Sequence, residues 1–295
     1  MDNVKVSIIT PSYNQAQYLE ETILSVLNQT YSNIEYIVID GGSTDGSVDI
    51  IQRYAHRIKY WCSEKDAGQA DAINKGFHHA TGDLICWVNS DDILYATFVE
   101  ERVHQFKQHP DIDMIYGDVE QGVDLQHKKL RCGAKTDYEE MLLTLNVPIP
   151  QQSAMWRKTI LKNVGYLQPQ WYVLLDREFF MRIAEKGRIL YVSGALAFFR
   201  NHEQSKSVKE WGRWADEMET YYLQLFEDKD SIYFKYKRQA MLSMYLHCYK
   251  IARDCCMTRS WLRYLFSSMR LGIWKTLKTI SVDELYRIKR IVFFQ

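Results

Sequence analysis

Apolar residues in the first half of the chain come in short dense runs separated by stretches with helical spacing. Val4 to Thr10, Glu35 to Asp40, Ile58 to Cys62 and Leu84 to Val88 read as strands of nearly continuous apolar character, the pattern of a sheet covered on both faces. Between the first two, Leu19, Ile23, Val26 and Leu27 form an apolar helical stripe, and Asn14 with Gln17 reads as its N-cap and capping box. Further helices are predicted over Val48 to Ala55, Gln69 to Ala80 and Ala96 to Gln108. This alternation predicts an α/β fold with a mostly parallel central sheet covered by helices.

Beyond Pro110 the pattern loosens. Met114 to Val119 reads as a strand and Gln121 to Arg131 as a polar hairpin. Asp137 to Leu145, Lys158 to Val164 and Asp176 to Lys186 read as helices, the last with its apolar face at Phe179, Phe180 and Ile183. Strands at Arg188 to Val192 and Ala195 to Phe199 close the domain. From about Val208 everything reads as helix, with no glycine between Gly212 and Gly272. The expected organisation is an α/β domain over 1–207, with a regular half (1–110) and a looser half (111–207), followed by a helical C-terminal region over 208–295.

The 295 residues are 46% hydrophobic and 25% charged, an ordinary globular composition that excludes disordered and collagen-like classes. Lys plus Arg and Asp plus Glu both count 37, so no global field favours nucleic acid. Outside the proline-broken Met141 to Trp156 region, the longest uncharged apolar stretch is Ile189 to Phe199. That is too short to cross a bilayer core of roughly 30 Å as a helix. Met1-Asp2-Asn3 leads straight into a strand pattern without a basic n-region, so a cytoplasmic chain with six reduced cysteines is expected.

The balanced total conceals an asymmetry. From Lys250 to Gln295, ten basic residues face three acidic ones, a surplus of +7. In the same segment Trp261, Leu262, Leu265, Phe266, Met269, Ile273 and Trp274 recur at helical spacing. Two readings stand side by side: peripheral contact of 250–295 with the inner face of the cell membrane, or packing on the catalytic domain or a homo-oligomer partner.

In an open parallel sheet the ligand binds at the carboxyl ends of the strands. Thr10-Pro11-Ser12-Tyr13-Asn14 follows the first strand, Asp40-Gly41-Gly42-Ser43 the second and Asn89-Ser90-Asp91-Asp92 the fourth. None is a GxGxxG or GxxxxGK[ST] loop. Two adjacent carboxylates at a strand end repel unless a cation or a proton separates them, so Asp91-Asp92 reads as a metal–diphosphate anchor. The plainer alternative is an N-cap for the following helix. Asp40 likewise reads as a turn-forming residue before two glycines.

Residues 6–14 (Val-Ser-Ile-Ile-Thr-Pro-Ser-Tyr-Asn), 39–47 (Ile-Asp-Gly-Gly-Ser-Thr-Asp-Gly-Ser), 71–76 (Asp-Ala-Ile-Asn-Lys-Gly), Thr81-Gly82-Asp83 and 89–92 together resemble family 2 glycosyltransferases of the GT-A fold. Asp176-Arg177-Glu178-Phe179 with Arg182, and Arg200-Asn201-His202 with Ser205 and Ser207, resemble the family's later acidic motif and His-containing loop. The resemblance implies that Thr10, Pro11, Tyr13 and Asp40 hold the nucleoside, and that Asp71 and Asn74 border the nucleotide and sugar. It places Asp91 near the ribose, Asp92 and His202 at a divalent Mn2+ or Mg2+ ion, and Asp176 as catalytic base. It implies an inverting, metal-dependent hexosyl transfer from a nucleotide-sugar donor, expected to be a UDP-sugar, to a glycan or lipid-linked acceptor in cell-surface polysaccharide biosynthesis.

Asp176 also reads as the N-cap of its helix, and Glu178 is the next candidate base. Pro148 to Gln152 reads either as a rigid connector or as two amides on the acceptor side, and Asp66 as a loop residue able to flank the nucleotide. A metal-dependent nucleotidyltransferase and a non-catalytic sugar-nucleotide or glycan-binding module remain the alternatives.

Overall fold

The computed structural model describes residues 4–210 and 212–279. Its elements are β1 (Val6–Ser12), α1 (Ala16–Leu27), β2 (Ile34–Asp40), α2 (Ser47–Tyr54), β3 (Tyr60–Ser63), α3 (Gln69–His79), β4 (Leu84–Trp87), β5 (Ile93–Leu94), α4 (Phe98–Gln108), β6 (Met114–Gly122), β7 (Lys128–Arg131) and α5 (Tyr138–Thr144). They continue with β8 (Met155–Arg157), α6 (Leu161–Val164), α7 (Leu175–Lys186), β9 (Ile189–Arg200), α8 (Lys206–Lys209), α9 (Arg213–Leu225), α10 (Lys237–Asp254) and α11 (Thr258–Leu277). The chain forms two compact units, one up to Tyr138 and from Val147 to Ser205, the other combining 139–146 with the residues from Lys206 onward.

The first unit is built on one sheet in the order β3-β2-β1-β4-β8-β6-β9-β5, with β7 hairpinned onto β6. The strands β3, β2, β1 and β4 are parallel. β8 enters antiparallel between β4 and β6. Both β8 and the two-residue β5, which pairs with β9, are additions to the elements expected from periodicity. The two late strands are one strand, β9, whose register against β6 shifts around Asp118.

β1 runs through Pro11 instead of stopping before it. The alternation explains the tolerance: Ser12 bonds towards β2 and Ile9 towards β4, so Pro11 faces the β4 side. The β1–β4 ladder has already ended at the Ile9–Trp87 pair, so no ladder bond is lost.

Each face of the sheet buries its own core. Leu19, Ile23 and Val26 of α1 pack with Val6, Ile8, Val38 and Cys86 and with Val99 and Phe106 of α4. On the other face Phe77, Trp87, Trp156, Phe179 and Phe180 form an aromatic cluster with ring centroids 5.3–6.4 Å apart. This cluster seats α7 on the sheet. Truncating one of these rings to alanine costs about 3–5 kcal/mol.

At the amino end of the strands, Glu35 is buried and accepts hydrogen bonds from Ser7 (2.5 Å), from the hydroxyl of Thr81 (2.7 Å) and from the amides of Thr81 and Gly82, and pairs with Lys5 at 2.5 Å. Burial pushes its carboxyl up, but Lys5, Ser7 and Thr81 outweigh burial and hold it at about 2. Thr81-Gly82-Asp83 is therefore a fastening of the sheet at the end remote from the loops that follow β1, β2 and β4.

In the second unit Tyr222, Cys248, Tyr249, Tyr264 and Leu265 are buried between α9, α10 and α11. Among the described residues no helix is long and apolar enough to cross a membrane. Residues 280–295, with five charged residues of the basic tail, lie outside the described residues.

Candidate active site

The loops after β1 and β2 interlock. Asn14 does not cap α1: it takes φ +51°, donates its amide to Ser43 Oγ (2.8 Å) and accepts from the Thr44 amide (2.9 Å). The cap comes from the neighbouring loop, where Asp45 Oδ2 accepts the Ala16 amide at 2.9 Å and Ser47 Oγ the Gln15 amide at 3.2 Å. Thr10 and Pro11 are buried, Thr10 accepting from the Tyr36 hydroxyl at 2.9 Å. Tyr13 is 62% exposed and presents its ring at the end of β1.

Asp40 is fully buried and accepts from the amides of Gly42 (3.1 Å) and Ser43 (2.9 Å) and the hydroxyls of Ser43 (2.5 Å) and Ser63 (2.7 Å). A carboxylate offers about four lone-pair sites. Three of these bonds fall on Oδ2 and one on Oδ1, so Asp40 is held by the turn and by Ser63 with no exposed surface, and its carboxylate is not presented to a base. Asp66 is a less enclosed carboxyl beside the same turn. It lies over Gly41, where a Cβ would come within 2.7 Å of its Oδ2, and it accepts the Gly68 amide through Oδ1 at 2.8 Å. Burial, with the charges of Asp71 and Asp40, raises its pKa.

The two adjacent aspartates divide sharply. Asp92 has no exposed surface; Oδ1 accepts the Arg200 amide (3.0 Å), and Oδ2 accepts Gln152 (2.9 Å) and Asn89 (3.1 Å). Burial, then the charge of Asp91, pushes its pKa well up. Asp91 is partly exposed, meets His202 Nε2 through Oδ2 at 2.9 Å, and accepts nothing at Oδ1 among the described residues. The expected order, Asp91 on the ribose and Asp92 on the metal, is thus at odds with the geometry, because Asp92 is sealed behind its donors and Asp91 is the open carboxylate. Gln151 and Gln152 are buried and spent on this network, Gln151 on the Trp87 carbonyl (2.8 Å), and not free to meet sugar hydroxyls.

Arg200 was not singled out by itself, yet it locks the loop. Its amide holds Asp92, Nε the Asp91 carbonyl (3.0 Å) and its guanidinium Glu21 (2.5 Å). Its place at the head of Arg200-Asn201-His202 was the available signal. His202 follows, with its ring 4.8 Å from that of Tyr18 and a buried Nδ1 that has no partner among the described residues. Among the described residues no three acidic, His or Cys side chains converge on a metal position. A Mg2+- or Mn2+-type ion that keeps its waters and substrate phosphates needs only one or two protein ligands. The open Asp91 oxygen and the unsatisfied imidazole fit such an ion.

Asp176 stands in the first turn of α7, second residue of the helix and not its N-cap. Its Oδ1 accepts the Arg177 amide at 2.7 Å. Burial raises its pKa, against the Arg177 amide and the charge of Arg131 at the end of β7. Nothing in the sequence marked Arg131. Glu178 is ruled out as an alternative base because it is buried in a bidentate pair with Arg182 (2.6 and 2.8 Å). Asn74 is not free for a ligand either: both ends of its amide clasp Leu167, 93 residues on, at 2.8 and 3.0 Å. That clasp tethers the segment leading into α7. Asp71 accepts the Ala67 amide at 3.1 Å and lies 3.6 Å from Lys75.

Comparison with known proteins agrees in kind. Residues 7–165 match the family model described as glycosyl transferase family 2. A PGL/p-HBAD biosynthesis glycosyltransferase of Mycobacterium bovis is 31% identical over 180 residues, 60% of this chain and 68% of the relative. Among solved structures, S. aureus TarS 1-349 in complex with UDP-GlcNAc is similar over 94% of this chain and 84% of its own, with a TM-score of 0.68 and 16% identity. The chain spans half the length of a longer TarS structure. The mannosyltransferase PcManGT from Pyrobaculum calidifontis, in complex with GDP-Man and Mn2+, is similar over 98% and 79%, with a TM-score of 0.62 and 15% identity. At these identities the structures speak for the fold, a GT-A type α/β architecture.

Proposed function

Because this chain belongs to glycosyltransferase family 2, we propose that it is an inverting transferase moving a hexosyl group from a UDP-sugar to a hydroxyl of a glycan or lipid-linked acceptor in cell-surface polysaccharide assembly, working in the cytoplasm at the inner face of the membrane. The observation that carries this reading is the 2.9 Å contact of Asp91 with His202, which unites two polar motifs 111 residues apart at the carboxyl end of β4. A relative 31% identical is by name a PGL/p-HBAD biosynthesis glycosyltransferase, which supports transfer in a biosynthetic pathway.

Asp176 takes the proton of the acceptor hydroxyl as that oxygen attacks the anomeric carbon. The bond to the diphosphate oxygen breaks and its electron pair leaves with the nucleotide, so one displacement inverts the centre. A raised pKa strengthens Asp176 as a base. Tyr13 offers a flat face to the base, with Asp66 beside Gly41 as its polar neighbour. Asp91 and His202 would hold a divalent cation, which neutralises charge on the leaving diphosphate when bound. Arg200 and Asp92 hold the Asp91 backbone in place.

A thermal-shift screen of UDP- and GDP-sugars with and without Mn2+ tests this. A ligand at 100 times its Kd raises stability by about 2.7 kcal/mol. UDP with Mn2+ is expected to raise the melting temperature, and Asp91→Ala to remove the metal-dependent part. A full Mn2+-dependent shift in Asp91→Ala overturns the metal assignment, and no shift with any sugar nucleotide overturns the donor class.

A further inference from the structure

The apolar stripe of α11 divides at Gly272. Before it, Trp261, Tyr264 and Leu265 are buried, Trp261 stacked on Tyr249 of α10 with centroids 5.9 Å apart. At Gly272 the backbone leaves the helical region, and a Cβ there would stand 2.6 Å from Leu242 Cδ2, so α10 and α11 touch through the missing side chain. Past this point Ile273, Trp274 and Leu277 are exposed by 52%, 78% and 40%. Before the kink the stripe is buried or half-buried except at Phe266, which is 46% exposed, and beyond it the stripe is surface.

Beside the kink lies a groove of about 620 Å³ between the segment at Phe234–Tyr236, α10 and α11. Lys235, Lys237, Arg238 and Arg270 line it around an apolar floor that includes Met241 and Leu271, and no acidic side chain lines it. None of the four cations pairs with a carboxylate among the described residues. Two are pinned in place, Arg238 Nε on the Leu271 carbonyl (3.1 Å) and Lys237 Nζ on that of Phe226 (3.4 Å). Four positive charges over an apolar floor, two of them held by backbone carbonyls, with the exposed Trp274 four residues beyond Arg270 in the chain, match one ligand chemistry: an anionic phosphate attached to a hydrocarbon chain.

We propose that this groove binds the phosphate headgroup of an anionic glycerophospholipid, with the acyl chain against Met241 and Leu271 and with Trp274 at the interface. Charge complementarity argues for this occupant, since cations near an anionic bilayer are attracted to it and an aromatic side chain settles at headgroup level. The inference rests on the reading that the chain works at a membrane face, and it shifts that contact from 250–295 to residues 234–277, with three of the four cations lying before the basic tail.

The test is co-sedimentation of the full chain with vesicles of phosphatidylcholine alone or mixed with phosphatidylglycerol. Variants are Lys235→Glu with Arg270→Glu, and Trp274→Ser, all at exposed positions, with melting temperatures checked against the parent. Binding is expected only to the mixed vesicles, weakening as salt shortens the screening length from about 10 Å at 0.1 M to about 3 Å at 1 M. The double charge reversal is expected to lower it at least tenfold, leaving sugar-nucleotide binding unchanged. A double variant that binds mixed vesicles like the parent overturns the groove while sparing the membrane reading. Absence of binding by the parent overturns both. A change of oligomeric state in the double variant reassigns the groove to a second copy of the chain.

Discussion

Both ends of the parallel strands bury a carboxylate, and the two are tuned in opposite directions. At the amino end Glu35 has a lysine at 2.5 Å and a set of hydroxyl and amide donors, and is held at about 2. At the carboxyl end Asp92 is as deeply buried, but its donors are amides, its nearest charge is another carboxylate, and its pKa is pushed up. The first arrangement is complete in itself and serves only the fold. The second gains from any positive charge that arrives next to Asp91, as expected of a binding site and not of a scaffold.

The sharpest way to break this comparison is to remove function without stability. Asp176→Asn should cut transfer by about 10²–10⁴-fold while melting temperature and donor binding stay at the parent values. Turnover near the parent rate would place the base elsewhere. Glu35→Gln should do the reverse, costing about 1–3 kcal/mol in chemical denaturation because the hydroxyl and amide donors of Ser7, Thr81 and Gly82 lose their carboxylate acceptor, with turnover per folded molecule unchanged. A loss of kcat in that variant would show that the two ends are not independent.

Acid titration sharpens the contrast, because the two carboxylates give opposite slopes. Glu35 is depressed from 4.5 to about 2, so its contribution is full above 4.5 and is lost as pH falls towards 2. Asp92 is raised above 3.8, so the folded state holds its proton more tightly and stability falls as pH rises through that window. Asp92→Asn should abolish only the second slope, read from denaturation midpoints between pH 2 and pH 7. The smallest effect is expected at the exposed aromatic. Tyr13→Ala should raise the donor KM about tenfold, within the roughly 1–3 kcal/mol of stacking on a base, and leave kcat alone.

The order of elements and the early motifs up to residue 92 were legible because each depends on local chemistry: apolar runs, glycine turns, polar strand ends. What escaped depends on partners far along the chain. Two adjacent aspartates look equivalent in a sequence, and only Gln152 and Arg200, 60 and 108 residues away, decide that Asp92 is sealed and Asp91 open. Asn74 sits in a motif that suggests a ligand, yet its amide is spent on Leu167. The capping of α1 escapes a local reading for the same reason, since Asp45 supplies from a neighbouring loop what the sequence assigns to Asn14. β8 left no periodic trace because its three residues, Met155–Arg157, are too few to show one.

The hold of Arg200 on residues 91 and 92 also sets an order of assembly. It closes a loop of more than 100 residues, which no local sequence preference can bring together early. During synthesis the strands β1 to β4 can pair while the chain is still short, whereas the open carboxylate of Asp91 acquires its histidine only once Arg200 and His202 have left the ribosome. A pulse of hydrogen exchange during refolding should therefore find the amides of Val6–Ser12 protected well before that of Arg200. A piece of the chain ending near residue 165 would contain every early motif and still lack the site.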